Sequence, residues 1–217
     1  MPTLDIGAEV APRKTFVWAI DWPGWCRSGK DRDLAIDALV AARARYAKVA
    51  RRAGLDLPQV DASDLRVVES VGGGGGTEFG VPSTITKTDR RRATKSEAER
   101  LASLVEAAWV IFDRVAERSP EALRKGPRGG GRDRDKMIGH VIEADHAYAR
   151  EIGVRMPEPS FGDRAAVDAE RAAVLDALRQ PSDGSPLADR KWPLRYAARR
   201  IAWHALDHAW EMEDRAD

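Results

Sequence analysis

Residues 199–217 read RRIAWHALDHAWEMEDRAD, and they are apolar on two sides of one helix. At 100° per residue, Ile201 centres a stripe that includes Leu194, Ala197, Ala205 and Met212, with His208 about 20° and His204 about 60° from that centre. Trp203, Leu206 and Trp210 fall on the opposite side, about 140–180° away. The first stripe requires a helical partner. The second is too apolar to face water, so it is expected to dock on the N-terminal part of the chain or on a second copy, as a homodimer through the Trp203/Trp210 face.

Working outward, three more segments repeat the helical period. SEAERLASLVEAAWVIFDRVAERS (96–119) keeps Leu101, Leu104, Val105, Ala108 and Val115 on one face, with Thr94 or Ser96 as its cap and an end near Arg118. A second helix is predicted from about Asp133 to Ile152, stopped by Gly153, and a third from about Asp163 to Arg179. Pro193 opens the fourth, while the Gly-rich basic stretch PEALRKGPRGGGRDRDK (120–136) joins the first helix to the second. Four amphipathic helices with polar connections predict an antiparallel four-helix bundle over 89–217.

Residues 1–88 have a different texture. Thr15–Ile20 and DLRVVES (64–70) read as strands, and about Asp31 to Ala53 as one helix stopped by Gly54. The expected class is α+β, a small N-terminal α/β domain followed by the bundle. The five glycines Gly72–Gly76 lack both the Lys-Ser/Thr ending and the spaced pattern of a phosphate loop, and predict a flexible surface loop. KTDRRRATK (87–95) reads as a solvated linker or helix entry.

Composition narrows the function classes. The 217 residues carry 36 Lys and Arg against 35 Asp and Glu, a net charge of +1 that gives no global field toward nucleic acid or anionic lipid. No apolar run reaches the roughly 20 residues of a membrane span, and the N-terminal stretch has no export pattern, so a cytoplasmic protein is expected. Cys26 is the single cysteine, which rules out intrachain disulfides and thiolate-rich zinc sites and makes Cys26 a packing residue. A metal would need His and carboxylate ligands.

All four histidines, His140, His146, His204 and His208, fall in the second and fourth helices of the C-terminal part. The i,i+4 pair His204 and His208 projects from one side and can converge on one ion. The third ligand is open between His140, about 100° from the centre of its helix's stripe at Val141, and His146, about 140° away. Each ring could instead be a hydrogen-bonded core histidine. Glu143 and Glu211 are available as carboxylate ligands, supporting partners or surface ion-pair residues. Tyr148, Arg150 and Arg199 or Arg200 are candidates to orient an anionic substrate.

MIGHVIEADHAYAREIG (137–153) together with RRIAWHALDHAWEMEDR (199–215) resembles the DinB-like superfamily of four-helix bundles. In that superfamily one His of the second helix and an HxxxH pair of the fourth bind a divalent metal. The resemblance covers about 120 C-terminal residues and implies the ligand set His140, His204 and His208. Its members include mycothiol-dependent maleylpyruvate isomerases and bacillithiol transferases. It therefore implies a zinc or nickel cofactor, a low-molecular-weight thiol and a small-molecule substrate. FVWAIDWPGWCRSGKDRDLAIDAL (16–39) is similar to the strand, Pro-Gly turn and helix of HicB-like antitoxin domains. That likeness implies an alternative role, a non-catalytic binding or regulatory module.

Overall fold

Leu4–Val10 forms the first strand, β1, with Leu4, Ile6 and Ala8 buried on alternate positions. The structure, a computed structural model, describes residues 3–125 and 131–216. Thr15–Ala19 (β2) and Cys26–Gly29 (β3) follow, and Leu65–Gly72 (β4) completes a four-stranded sheet in the order β3-β2-β1-β4. β1 runs antiparallel to β2, β2 antiparallel to β3, and β1 parallel to β4 with a register shift between Ile6 and Gly7. Arg66 of β4 donates from Nε and Nη2 to the carboxylate of its cross-strand neighbour Asp5, at 2.8 and 3.0 Å.

Two of these strands, β1 and β3, are additions to the sequence reading, which expected strands only near β2 and β4. In β1, Gly7 and the acidic Asp5 and Glu9 dilute the apolar signal. Glu9 is nonetheless fully buried, because its carboxylate accepts from Thr77 Oγ1 at 2.5 Å and from the backbone N–H of Thr84 at 2.9 Å. β3 stands between the Pro-Gly turn and the following helix, which the HicB-like pattern had joined directly. All five residues of β2 are buried, so no alternation survives. Val17 and Ala19 face the main core, while Phe16 and Trp18 enter a second cluster with Ile20, Cys26 and Trp203.

The single helix expected over 31–53 is two, Arg32–Ala41 (α1) and Arg43–Arg52 (α2), interrupted at Ala42. Ala42 itself keeps helical dihedrals, so no Gly or Pro marks the break. Asp31 caps α1 by accepting from Leu34 N–H. The expected glycine loop also differs, since Gly75–Phe79 forms one helical turn, α3, whose Thr77 supplies the hydroxyl for Glu9. Of the connection 120–136, residues 126–130 lie outside the described residues.

Four long helices follow: Lys95–Arg118 (α4), Arg134–Glu151 (α5), Arg164–Leu178 (α6) and Leu194–Arg215 (α7). Thr94 and Glu97 close a reciprocal capping box on α4, Asp163 caps α6, and Pro193 stands just before α7. α4 packs on α6 and α7, α5 packs on α6 and α7, and α2 lies against α4. One contiguous apolar cluster runs from Leu4 and Ile6 of the sheet to Met212 of α7. No helix among the described residues is long and apolar enough to cross a membrane.

Candidate metal centre

α7 is held on two sides. Ile201, Ala197 and Ala205 enter the main core, while Trp203 meets Phe16 of β2 edge-on with ring centroids 6.1 Å apart. Leu206 and Ala202 lie against Gly24, where the chain turns at φ +90 and where a Cβ would stand 2.7 Å from Leu206 Cδ1. The Arg27 guanidinium covers Trp210 at 5.3 Å from the ring centroid. Of the two docking partners expected for the Trp203/Trp210 face, the structure has the N-terminal part of the same chain. Both rings are thereby buried within one copy. This two-sided clamp fixes the rotation of α7 about its axis and so the direction of His204 and His208.

His140 of α5 meets them across the helix pair. One ligand nitrogen from each of His140, His204 and His208 can be chosen so that all three lie within 4.8 Å of one another. The Nε2 atoms of His140 and His204 stand 3.3 Å apart, and the ring centroids of His204 and His208 are 4.7 Å apart. Such a group can hold a metal ion. His140 sits on the flank of α5 rather than on its buried stripe and is half-buried, whereas His204 is buried and the His208 side chain is 12 % exposed.

The electrostatics suit neutral imidazoles. Burial, reinforced by Arg132 and His208, lowers the His140 pKa to about 4. Burial also pushes His204 well below the usual histidine range. The facing Nε2 atoms of His140 and His204 can share one N–H···N bond, one ring donating and the other accepting, whereas the buried Nδ1 of His204 has no partner. A cation among the three rings would replace that shared proton and accept a lone pair from each. His208 is fixed differently. Its Nδ1–H donates to Glu211 Oε2 at 3.2 Å, and Arg215 Nη1 donates to Glu211 Oε1 at 2.7 Å. These bonds hold the Glu211 carboxyl below its ordinary pKa and leave His208 Nε2 as the ring's lone-pair donor.

The other candidates separate cleanly. His146, the alternative third ligand, lies elsewhere: it is buried against α6 and its Nδ1–H donates to Glu170 Oε1 at 2.6 Å, the hydrogen-bonded core histidine considered for any single ring. Glu143 is exposed and lines a different surface hollow with Glu158 and Phe161. Arg150 is exposed on α5. Arg199 points away from the histidines, donating from Nε and Nη2 to Asp89 at 3.1 and 2.6 Å and stacking 4.4 Å over Trp18, so its work is to tie residues 88–90 to α7. Tyr148 and Arg200 do reach the site. The Tyr148 ring stands 5.5 Å from His204, its hydroxyl accepts from Arg200 Nη2 at 3.0 Å, and Arg200 Nη1 is buried without a partner.

Cys26 packs as expected: it is buried, and burial raises its thiol pKa to about 12, which leaves it unreactive. A polar group missing from the sequence reading lies between α4, α5 and α6. Arg171 Nη1 donates to both oxygens of Asp113, at 3.1 and 2.9 Å, and its Nη2 is 3.6 Å from Asp145. Asp145 is buried with neither oxygen hydrogen-bonded, and burial lifts its carboxyl to about 7 against the pull of Arg171. Compared with known family models, curated proteins and solved structures, the chain matches none.

Proposed function

We propose that the chain binds one divalent cation, zinc or nickel, on His140, His204 and His208. With it the chain acts on a small molecule in the manner of DinB-like proteins, as a thiol-dependent transferase or isomerase or as a metal-dependent hydrolase. The observation that carries this reading is the meeting of three ring nitrogens from two helices within 4.8 Å, one of the rings buried. The mutual packing of α4, α5, α6 and α7 supports reading them as a four-helix bundle of that kind.

A divalent ion held by His140, His204 and His208 as neutral imidazoles would keep its full charge and would make a water or thiol beside it easier to deprotonate. The chain's own residues do the rest. Glu211 orients the His208 ring through Nδ1–H, and Arg215 holds Glu211 in turn. The unpartnered Nη1 of Arg200 faces an anionic group of the substrate, while Tyr148 fixes the guanidinium and closes one wall beside His204. Burial keeps the Tyr148 phenol protonated, so it serves as a hydrogen-bond donor rather than a base. The alternative, a regulatory module recognising a partner through its N-terminal sheet, has less support, because β2 is covered on both faces.

Cobalt-loaded protein distinguishes the chemistries. Titrated with low-molecular-weight thiols such as cysteine and glutathione, a thiol-dependent enzyme develops a thiolate-to-cobalt charge-transfer band that the His204→Ala/His208→Ala variant lacks. If the loaded protein shows no such band with any thiol, the transferase and isomerase readings fail and the hydrolase remains. If it takes up no cobalt, all of them fail.

A further inference from the structure

A cleft of about 670 Å³ opens where α2 crosses the C-terminal half of α4, beside the end of α7. Its rim carries Lys48, Arg51 and Arg52 of α2 and Arg114 and Arg118 of α4. The spacing explains the arrangement: 48, 51 and 52 share one face of α2, and 114 and 118, with Ile111 and Val115, share one face of α4. Ile111 and Val115 are half-buried and form an apolar floor, whereas the five cationic side chains are exposed around it.

Several other cations of the chain are paired with carboxylates. Arg164 and Arg171 share Asp113, Arg179 meets Glu106, and Arg195 meets Glu97. Among the described residues, none of the five around the cleft has a carboxylate partner. The one acidic residue of the lining, Glu213, lies 3.7 Å from Arg45 instead. In a chain whose net charge is only +1, five uncompensated positive charges on facing helices repel one another and focus a positive potential into a hollow with low-dielectric walls. Four of the five are arginines, whose planar forks match phosphate oxygens in pairs. A volume within roughly 300–1,000 Å³ is that of a small-ligand pocket.

We propose that this cleft binds the phosphate chain of a nucleotide-class ligand, with Arg51, Arg52, Arg114 and Arg118 on the phosphates and the apolar floor under its planar body. The site is separate from the histidine cluster and does not depend on it. The test is calorimetric titration of the full chain with ATP in the presence of a chelator, which keeps divalent ions out of the histidine site. The expected result is one saturable event of one-to-one stoichiometry that weakens as salt rises. It weakens about a hundredfold in Arg51→Ala/Arg118→Ala, from the loss of two charge-assisted contacts. Arg190→Ala/Lys191→Ala, which removes two exposed cations elsewhere, binds as the native chain does.

Inorganic triphosphate, which cannot use the floor, binds about tenfold more weakly than ATP. Both arginine variants remove exposed, unpaired side chains, so unchanged thermal unfolding shows that a lost signal is a lost site. Absence of saturable ATP binding overturns the proposal, as does native affinity in Arg51→Ala/Arg118→Ala or equal binding of triphosphate and ATP. Tighter binding of a duplex RNA through the same residues assigns the cleft to nucleic acid and overturns it equally.

Discussion

Asp145 shows what one side chain can cost inside this fold. Its carboxyl is buried among Arg171, Trp109, Glu170 and Asp113, neither oxygen accepts a hydrogen bond, and its pKa is raised from 3.8 to about 7. Because the folded-state value lies above the unfolded one, the folded chain retains a proton that the unfolded chain has released between about pH 4 and 7. Stability from this group therefore falls as pH rises through that window and levels off above it. The full difference is on the order of 4 kcal/mol. In Asp145→Asn the dependence disappears, so urea unfolding at about pH 5 and pH 8 finds the variant gaining a few kcal/mol on the native chain at the higher pH. An equal difference at both values contradicts the assignment. Such a residue is invisible in sequence: ADH at 144–146 looks like an ordinary polar turn of helix, and only the approach of Arg171 from α6 makes Asp145 buried and His146 a partner for Glu170.

Among the elements, α7 carries the most information in the fewest residues. The period of RRIAWHALDHAWEMED already separates an inward stripe, with His208 near its centre and His204 beside it, from a tryptophan side, and the structure packs both sides of the helix. That inward placement is the reason the candidate ligand set was partly legible. His140 and His146 differ by six residues and point to different sides of α5, yet the periodicity of α5 alone left them nearly equivalent. Which one meets α7 depends on the crossing of two helices, a tertiary fact. β1, β3 and the break at Ala42 were not legible for a related reason. Gly7, Asp5 and Glu9 acquire their meaning from Trp18, Arg66 and Thr77, residues 11 to 68 positions away, and Ala42 keeps helical dihedrals. Trp203→Ala tests the clamp on α7: losing its burial against Phe16 destabilises the chain by about 3–5 kcal/mol. The same change loosens the orientation of His204 beside it and lowers metal affinity about tenfold or more. Loss of stability with unchanged metal affinity would show that the tryptophan side does not orient the site.

At the scale of the whole molecule, a single apolar cluster crosses from the sheet into the long helices. The buried Arg199–Asp89 pair adds a polar tie between residues 88–90 and α7. A chain cut to residues 89–217 would expose Trp203, Leu206 and Trp210 together, so it is expected to bind hydrophobic dyes and associate, while the full chain unfolds in one cooperative transition. Two separate transitions in the full chain would contradict that coupling. The architecture thus makes the sheet a support that fixes α7 and leaves the opposite side of that helix to its histidines. The most direct test is metal content by mass spectrometry of the purified full chain alongside His140→Ala, His204→Ala and His208→Ala. The account predicts one zinc or nickel per native chain and a loss of it in each of the three, with His146→Ala retaining a full equivalent. A native chain that takes up no divalent metal even when supplied with it, or one whose metal survives removal of His204 and His208, would contradict it.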